Sequence, residues 1–108
     1  RAALNDSANT VAVSAVSFWE IALKSALGKL VLTGVTSAEL PGLAGEMGFE
    51  VLSLSAEVAA SFSQLPRLPH RDPFDRMLVW QAICEKYALV SRDKDLSGYH
   101  RVGLKQIW

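Results

Sequence analysis

The sequence predicts an α/β fold with a mostly parallel sheet, and three observations lead there. Short apolar or alternating runs recur along the chain, at VAV (11–13), FEVLSL (49–54), ALVS (88–91) and LKQIW (104–108). Longer segments bearing helix start and stop signals separate them, in the order α-β-α-α-β-α-α-β-α-β. Strands spaced by helices pair in parallel, because the return path crosses a face of the sheet. Finally, Glu20, Asp75 and Asp93 all fall at helix starts or strand ends, the rim where a parallel sheet forms its ligand crevice.

Each element has a local cause. RAALNDSAN (1–9) reads as the tail of a helix ending in a polar turn. VAV is short and β-branched, as a buried strand is. Ser14 or Ser17 caps the next helix, and Ser17 with Glu20 has capping-box spacing. That helix runs to about Leu27 and stops at Gly28. Its polar residues Ser17, Glu20 and Lys24 form one narrow stripe, while Phe18, Trp19, Ile21, Leu23 and Leu27 cover the rest, so it is expected to be buried on most sides. GKLVLTGVTS (28–37) is a connector. Residues 38–47 form a short helix with Pro41 near its first turn, where proline is tolerated.

The strand at 49–54 follows, and Ser55 caps a helix through about Leu65. PRLPHRD (66–72) is a loop. Asp72, Pro73 and Asp75 stand at N-cap, N1 and N3 of a strong helix start, with the helix running to about Tyr87. ALVS is a strand, RDKDLSGY a turn with a short helix at 94–98, and LKQIW a final strand. There is no internal repeat or low-complexity segment.

Half of the 108 residues are hydrophobic, enough for one domain (residues 1–108) with its own core. Lys plus Arg equals Asp plus Glu at 11 each, so no global basic field marks a nucleic-acid binder and only local patches remain for that role. The single cysteine rules out an internal disulfide. Cys84 lies in the apolar run MLVWQAIC and is expected as a small buried hydrophobe, which suits a reducing, cytoplasmic setting. No apolar run reaches the roughly 18 residues that span a bilayer, and no signal-peptide pattern opens the chain. No membrane role is expected. The chain begins mid-pattern and without Met, which points to an upstream piece.

Carboxylates gathered on one rim repel one another unless a cation neutralises them, and Mg²⁺ or Mn²⁺ prefers oxygen ligands. Each candidate also has an ordinary role. Glu20 suits N3 of a capping box or an i,i+4 pair with Lys24. Asp75 suits the dipole of its helix, Asp72 its cap, and Asp93 the cap of the short helix after it. Their shared rim is what favours a metal site. Lys24, Arg71, Arg76 and Arg92 lie near it, where guanidinium forks match phosphate oxygens or balance the carboxylates. His70 and His100 have no companions at zinc spacing and read as loop residues. Ser14, Ser17 and Ser91 lack a histidine base at motif spacing, and no glycine-rich phosphate loop is present. Trp19 and Trp80, both mid-helix, are expected in the core.

The runs VSAVSFWEIALKSALGKLVL (13–32), LPRLPHRDPFDRMLVWQA (65–82) and LVSRDKDLSGY (89–99) closely resemble VapC-type toxins of the PIN-domain ribonuclease family. The combination of S-x-x-S-x-W-E-I-A-x-K, H-R-D-P-F-D-R and S-R-D, in that order, carries the resemblance over nearly the whole chain. It implies a three-layer fold, a Mg²⁺- or Mn²⁺-dependent ribonuclease, a cognate antitoxin and a homodimer. Of the family's acidic quartet, the last three members match Glu20, Asp75 and Asp93, with Asp72 in a secondary role. The first, an Asp on a central first strand, has no counterpart here, since Asp6 follows a helix tail. The first strand and helix are therefore expected to be absent from this chain.

The resulting expectation is an RNA-cleaving toxin of a type II toxin–antitoxin system. Glu20, Asp75 and Asp93 would be catalytic metal ligands, and Lys24, Arg76 and Arg92 candidates for substrate phosphate. The alternative is a catalytically defective remnant that binds an antitoxin or its own copy. A receiver-like phospho-acceptor domain would need a paired acidic turn after its first strand and a lysine after its last, and neither is visible.

Overall fold

A computed structural model of the chain describes residues 11–69, 72–91 and 93–107. The expectations for the helix tail at 1–9, and for His70, Arg71, Arg92 and Trp108, lie outside the described residues. The described chain divides into two compact units, one ending at Ser53 and one beginning at Leu54.

In the first unit, strand β1 (Ala12–Ser14) runs directly into helix α1 (Ala15–Ala26). Ser14 makes that junction possible: it is extended, buried, and its Oγ accepts from Val16 N at 3.0 Å. This satisfies one of the N–H groups that a helix start leaves without an intrahelical partner. Of the two candidate serines, Ser14 is therefore the cap. Glu20 consequently falls three residues beyond N3, and the expected capping box with Ser17 does not form. The helix ends as its glycine predicts. Gly28 takes φ +74°, and Lys29 N reaches back to Lys24 O at 2.9 Å.

A 3₁₀ turn (Ser37–Glu39) leads into helix α2 (Leu40–Glu46) and strand β2 (Glu50–Leu52). The helix expected at 38–47 is thus a 3₁₀ turn followed by a short α-helix. Strands β1 and β2 pair in parallel, with Ala12 opposite Glu50 and Ser14 opposite Leu52.

Burial in this unit is thin. Val16, Ala44 and Ser14 are its buried residues. Val16, Trp19, Leu23 and Leu27 share one stripe of α1 by helical spacing. The stripe starts covered at Val16, 2 % exposed, and runs out into solvent at Trp19, 61 % exposed. The expectation that Trp19 belongs to the core is therefore wrong. A helix that is apolar on most sides does not reveal in its sequence how far along its length the cover extends.

The second unit contains α3 (Ala56–Ala60), a 3₁₀ turn (Phe62–Gln64), α4 (Pro73–Glu85), β3 (Ala88–Val90), a 3₁₀ helix (Lys94–Val102) and β4 (Lys105–Ile107). Ser55 caps α3 through Val58 N at 3.1 Å, as expected. The helix does not continue to Leu65, however. Ser61 Oγ donates to Val58 O at 3.3 Å, and such a serine competes with the helical ladder and breaks the run into a 3₁₀ turn. The short helix expected at 94–98 is a longer 3₁₀ segment, closed by Gly103 at φ +111°. Strands β3 and β4 pair in parallel, Ala88 opposite Lys105 and Val90 opposite Ile107.

Here the core is continuous. Leu65, Val79, Ala82, Leu96, Tyr99 and Leu104 form it, with Phe62, Leu68, Trp80, Ile83 and Leu89 packed around them. Trp80, as expected, is a core residue, and its Nε1 donates to Val58 O and Ser61 Oγ, both at 3.1 Å. Leu68 packs so closely on Gly98 that a Cβ there would lie 2.8 Å from Leu68 Cδ1, which ties the 66–69 loop to the 3₁₀ helix. Cys84 corrects a second expectation, because it is exposed. Val79, Ala82 and Ile83 occupy one side of α4, and a residue at position 84 points to the other.

Candidate functional site

The start of α4 is fixed by Asp72. Its Oδ1 accepts from Phe74 N at 2.9 Å and Asp75 N at 3.1 Å, while Pro73 at N1 needs no hydrogen bond. Asp72 thus serves the helix, and Asp75 is set in the first turn. The helix then runs back to β3 through a two-residue connection, so it lies antiparallel to that strand. From Asp75 to the helix end is about 15 Å at helical rise. The strand itself is short, Ala88–Val90, and α4 packs on it. Asp75, in the first turn of α4, and Asp93, after the carboxyl end of β3, therefore both lie at the ends of these elements away from the connection that joins them.

Asp93 follows β3 in a tightly bonded turn. Its Oδ1 accepts from Asp95 N at 2.9 Å, capping the 3₁₀ helix, and its own N donates to Ser91 Oγ at 3.1 Å. Gln106, on β4, completes the turn by donating from Nε2 to Ser91 O at 3.0 Å and Asp93 O at 2.9 Å. Sequence reasoning missed Gln106. The available signal was a lone amide inside the apolar terminal run LKQIW.

In the first unit, Glu20 stands on α1 just beyond the carboxyl end of β1, and its Oε2 pairs with Lys24 Nζ. The i,i+4 partnership anticipated from spacing is therefore formed. Both units place their candidate carboxylates at the carboxyl end of their own strands. Among the described residues, no three His, Cys, Asp or Glu side chains come together as a group able to hold a metal ion. In kind the donor set fits a hard cation, since every member offers carboxylate oxygen.

The basic candidates separate. Lys24 is engaged with Glu20. Arg76 is turned into the fold: its guanidinium lies 4.9 Å from the centroid of the Phe62 ring, and Nη2 makes a long 3.5 Å contact with Leu65 O. That geometry secures the start of the 65–72 loop. Arg92 lies outside the described residues. Among these residues no helix is long and apolar enough to cross a membrane.

The chain matches the PIN domain over residues 1–102, and it belongs to the PIN-domain family. Members of this family are generally nucleases that act on RNA, and they typically use divalent metal ions. No curated protein matches the chain.

Proposed function

We propose that the chain is a divalent-metal-dependent endoribonuclease of the VapC toxin type, the toxin half of a type II toxin–antitoxin pair. The observation that supports this reading is the placement of Asp75 in the first turn of α4 and of Asp93 just after the carboxyl end of β3, in a PIN-family chain whose α4 packs on β3. Asp75, Asp93 and Glu20 would hold Mg²⁺ or Mn²⁺, which when bound supplies charge neutralisation at a backbone phosphate and acidifies a coordinated water. The chain's own share is to aim carboxylates. Asp72 sets the first turn of α4 and hence Asp75, and the Ser91–Asp95 turn sets Asp93. Lys24 and Arg92 are the candidates to steady substrate phosphate. Arg76, packed on Phe62, is better suited to holding the loop before α4.

Replacing Glu20 by Gln, Asp75 by Asn and Asp93 by Asn, one at a time, tests the assignment. Each should abolish Mn²⁺-dependent cleavage of single-stranded RNA while the thermal melt shows a folded protein. A carboxylate that only caps a helix would leave cleavage intact and stability little changed, since Asn caps as well as Asp. Any variant that cuts normally removes that residue from the ligand set.

A second reading has its own support. It is a non-catalytic module that binds an antitoxin or its own copy. The exposed Trp19, Leu23 and Leu27 offer a surface for either partner. If wild type cuts no RNA, binds no Mn²⁺ and self-associates in light scattering, this second reading replaces the first.

A further inference from the structure

The turn that carries Asp93 is held from outside by one side chain. Gln106 spends both N–H groups of its amide on the carbonyls of Ser91 and Asp93. Its Oε1 faces His100 Nε2 at 2.9 Å. The reverse orientation would set the amide oxygen against two carbonyl oxygens, so the hydrogen-bond pattern fixes the amide and requires a proton on His100 Nε2. Around the same turn, Ser91 N donates to Ile107 O at 3.0 Å and Asp93 N to Ser91 Oγ. The backbone on both sides of residue 92 is therefore tied down, through Gln106 and the β3–β4 ladder.

We propose that Gln106 is a positioning residue for Asp93. By fixing the carbonyls of Ser91 and Asp93 it sets the direction in which the Asp93 carboxylate leaves the strand end. His100 in turn holds the Gln106 amide in its donating orientation. The proposal rests on the reading of Asp93 as a ligand and adds a residue that touches neither metal nor RNA.

Gln106→Glu is the discriminating variant. It keeps the length and volume of the side chain but sets a carboxylate against two carbonyl oxygens. A merely space-filling residue would tolerate Glu. In Gln106→Glu and Gln106→Ala alike, hydrogen exchange at the Asp93 and Asp95 amides should accelerate about tenfold, the loss expected from two hydrogen bonds. The Val79 and Tyr99 amides should keep their protection. Cleavage of a fluorophore-quenched single-stranded RNA of mixed sequence should lose about tenfold in kcat with KM unchanged. Unchanged exchange at Asp93 and Asp95 in Gln106→Glu overturns the proposal. So does protection lost equally at Val79 and Tyr99, which would make Gln106 a general stabiliser.

Asp93→Asn is run in parallel to separate the two levels. If it is inactive while Gln106→Glu cuts as wild type, only the Gln106 proposal fails. If Asp93→Asn itself cuts normally, the ligand reading fails and the positioning role falls with it. Should wild type not cut the probe RNA, Mn²⁺-induced broadening of the Asp93 amide resonance replaces cleavage. Tenfold weaker apparent Mn²⁺ binding in Gln106→Glu then supports the proposal, and equal binding overturns it.

Discussion

From Leu54 onward, polar side chains are spent on backbone, and apolar ones close a continuous core. Up to Ser53, the pairs Glu20–Lys24 and Thr36–Glu39 join near neighbours in the chain, and much of the apolar stripe on α1 stays in water. Asp93 and Glu20 show the contrast most directly. The direction of Asp93 is over-determined by Ser91, Asp95 and Gln106. Glu20 is oriented by one lysine a helical turn away, with that lysine side chain 43 % exposed. Exposed pairs of this kind contribute about 0–1 kcal/mol. Two carboxylates matched to the same proposed task are thus held with very different stiffness.

The largest expected effect tests whether the cores differ as the burial does. Leu65→Ala removes a side chain that is 2 % exposed within the continuous core, and it should cost about 2–5 kcal/mol. Leu23→Ala removes one that is 38 % exposed on α1 and should cost within about 0.5 kcal/mol. Urea melts of the two variants compare them directly. A large loss from Leu23→Ala would mean that α1 is covered in solution by a second copy or another partner. Repeating the melt across a concentration series separates that outcome from an intrinsic effect.

What the sequence disclosed follows the same division between near and far. The DPFD start of α4 was legible because cap, N1 proline and first-turn carboxylate are neighbours, and Asp72 bonds only two and three residues ahead. Gly28 marked the end of α1 for the same local reason. The parallel pairing of β1 with β2 and of β3 with β4 followed from the helices between them. Burial was another matter. Cys84 and Trp19 were expected inside because their helices are apolar on several sides, and only packing decides which side is covered. The lone amide of Gln106 stood out in its apolar run, but its role did not, because its partners Ser91 and Asp93 are 15 and 13 residues away. The carboxylates were legible as residue types at strand ends, while their grouping depends on long-range packing that no spacing encodes.

A smaller effect, of opposite sign, probes the core from Leu54 onward. Tyr99 is fully buried, and its hydroxyl has no hydrogen-bond partner among the described residues. Burying an unpaired hydroxyl is unfavourable, so Tyr99→Phe should leave stability unchanged or raise it by about 1 kcal/mol. Differential scanning calorimetry would show an equal or higher Tm. A clear loss of Tm would mean that this hydroxyl is bonded in solution, and that the core is less purely apolar than its neighbours suggest.

The smallest effect lies in the other unit and depends on pH. Glu39 Oε1 accepts from Thr36 N at 2.8 Å and from Thr36 Oγ1 at 3.0 Å. These bonds favour the charged carboxylate, the backbone bond most and the hydroxyl bond next, and together they hold Glu39 below its ordinary value of 4.5. A carboxylate depressed on folding contributes stability above its unfolded value, and the contribution is lost as pH falls through the folded one. Wild type should therefore melt above Glu39→Ala at neutral pH, with the gap narrowing below about pH 4.5 as protons compete for the acceptor. Any constant offset from helix propensity remains at all pH values and is subtracted. Gln106 performs the analogous backbone-holding task with a neutral amide, so the wild-type gap to Gln106→Ala should not narrow through a titration of residue 106 itself. Melts of the three proteins between pH 7 and pH 3 make the comparison. A Glu39→Ala gap that stays constant over that range would show that the Thr36 bonds do not discriminate between the charged and neutral carboxyl.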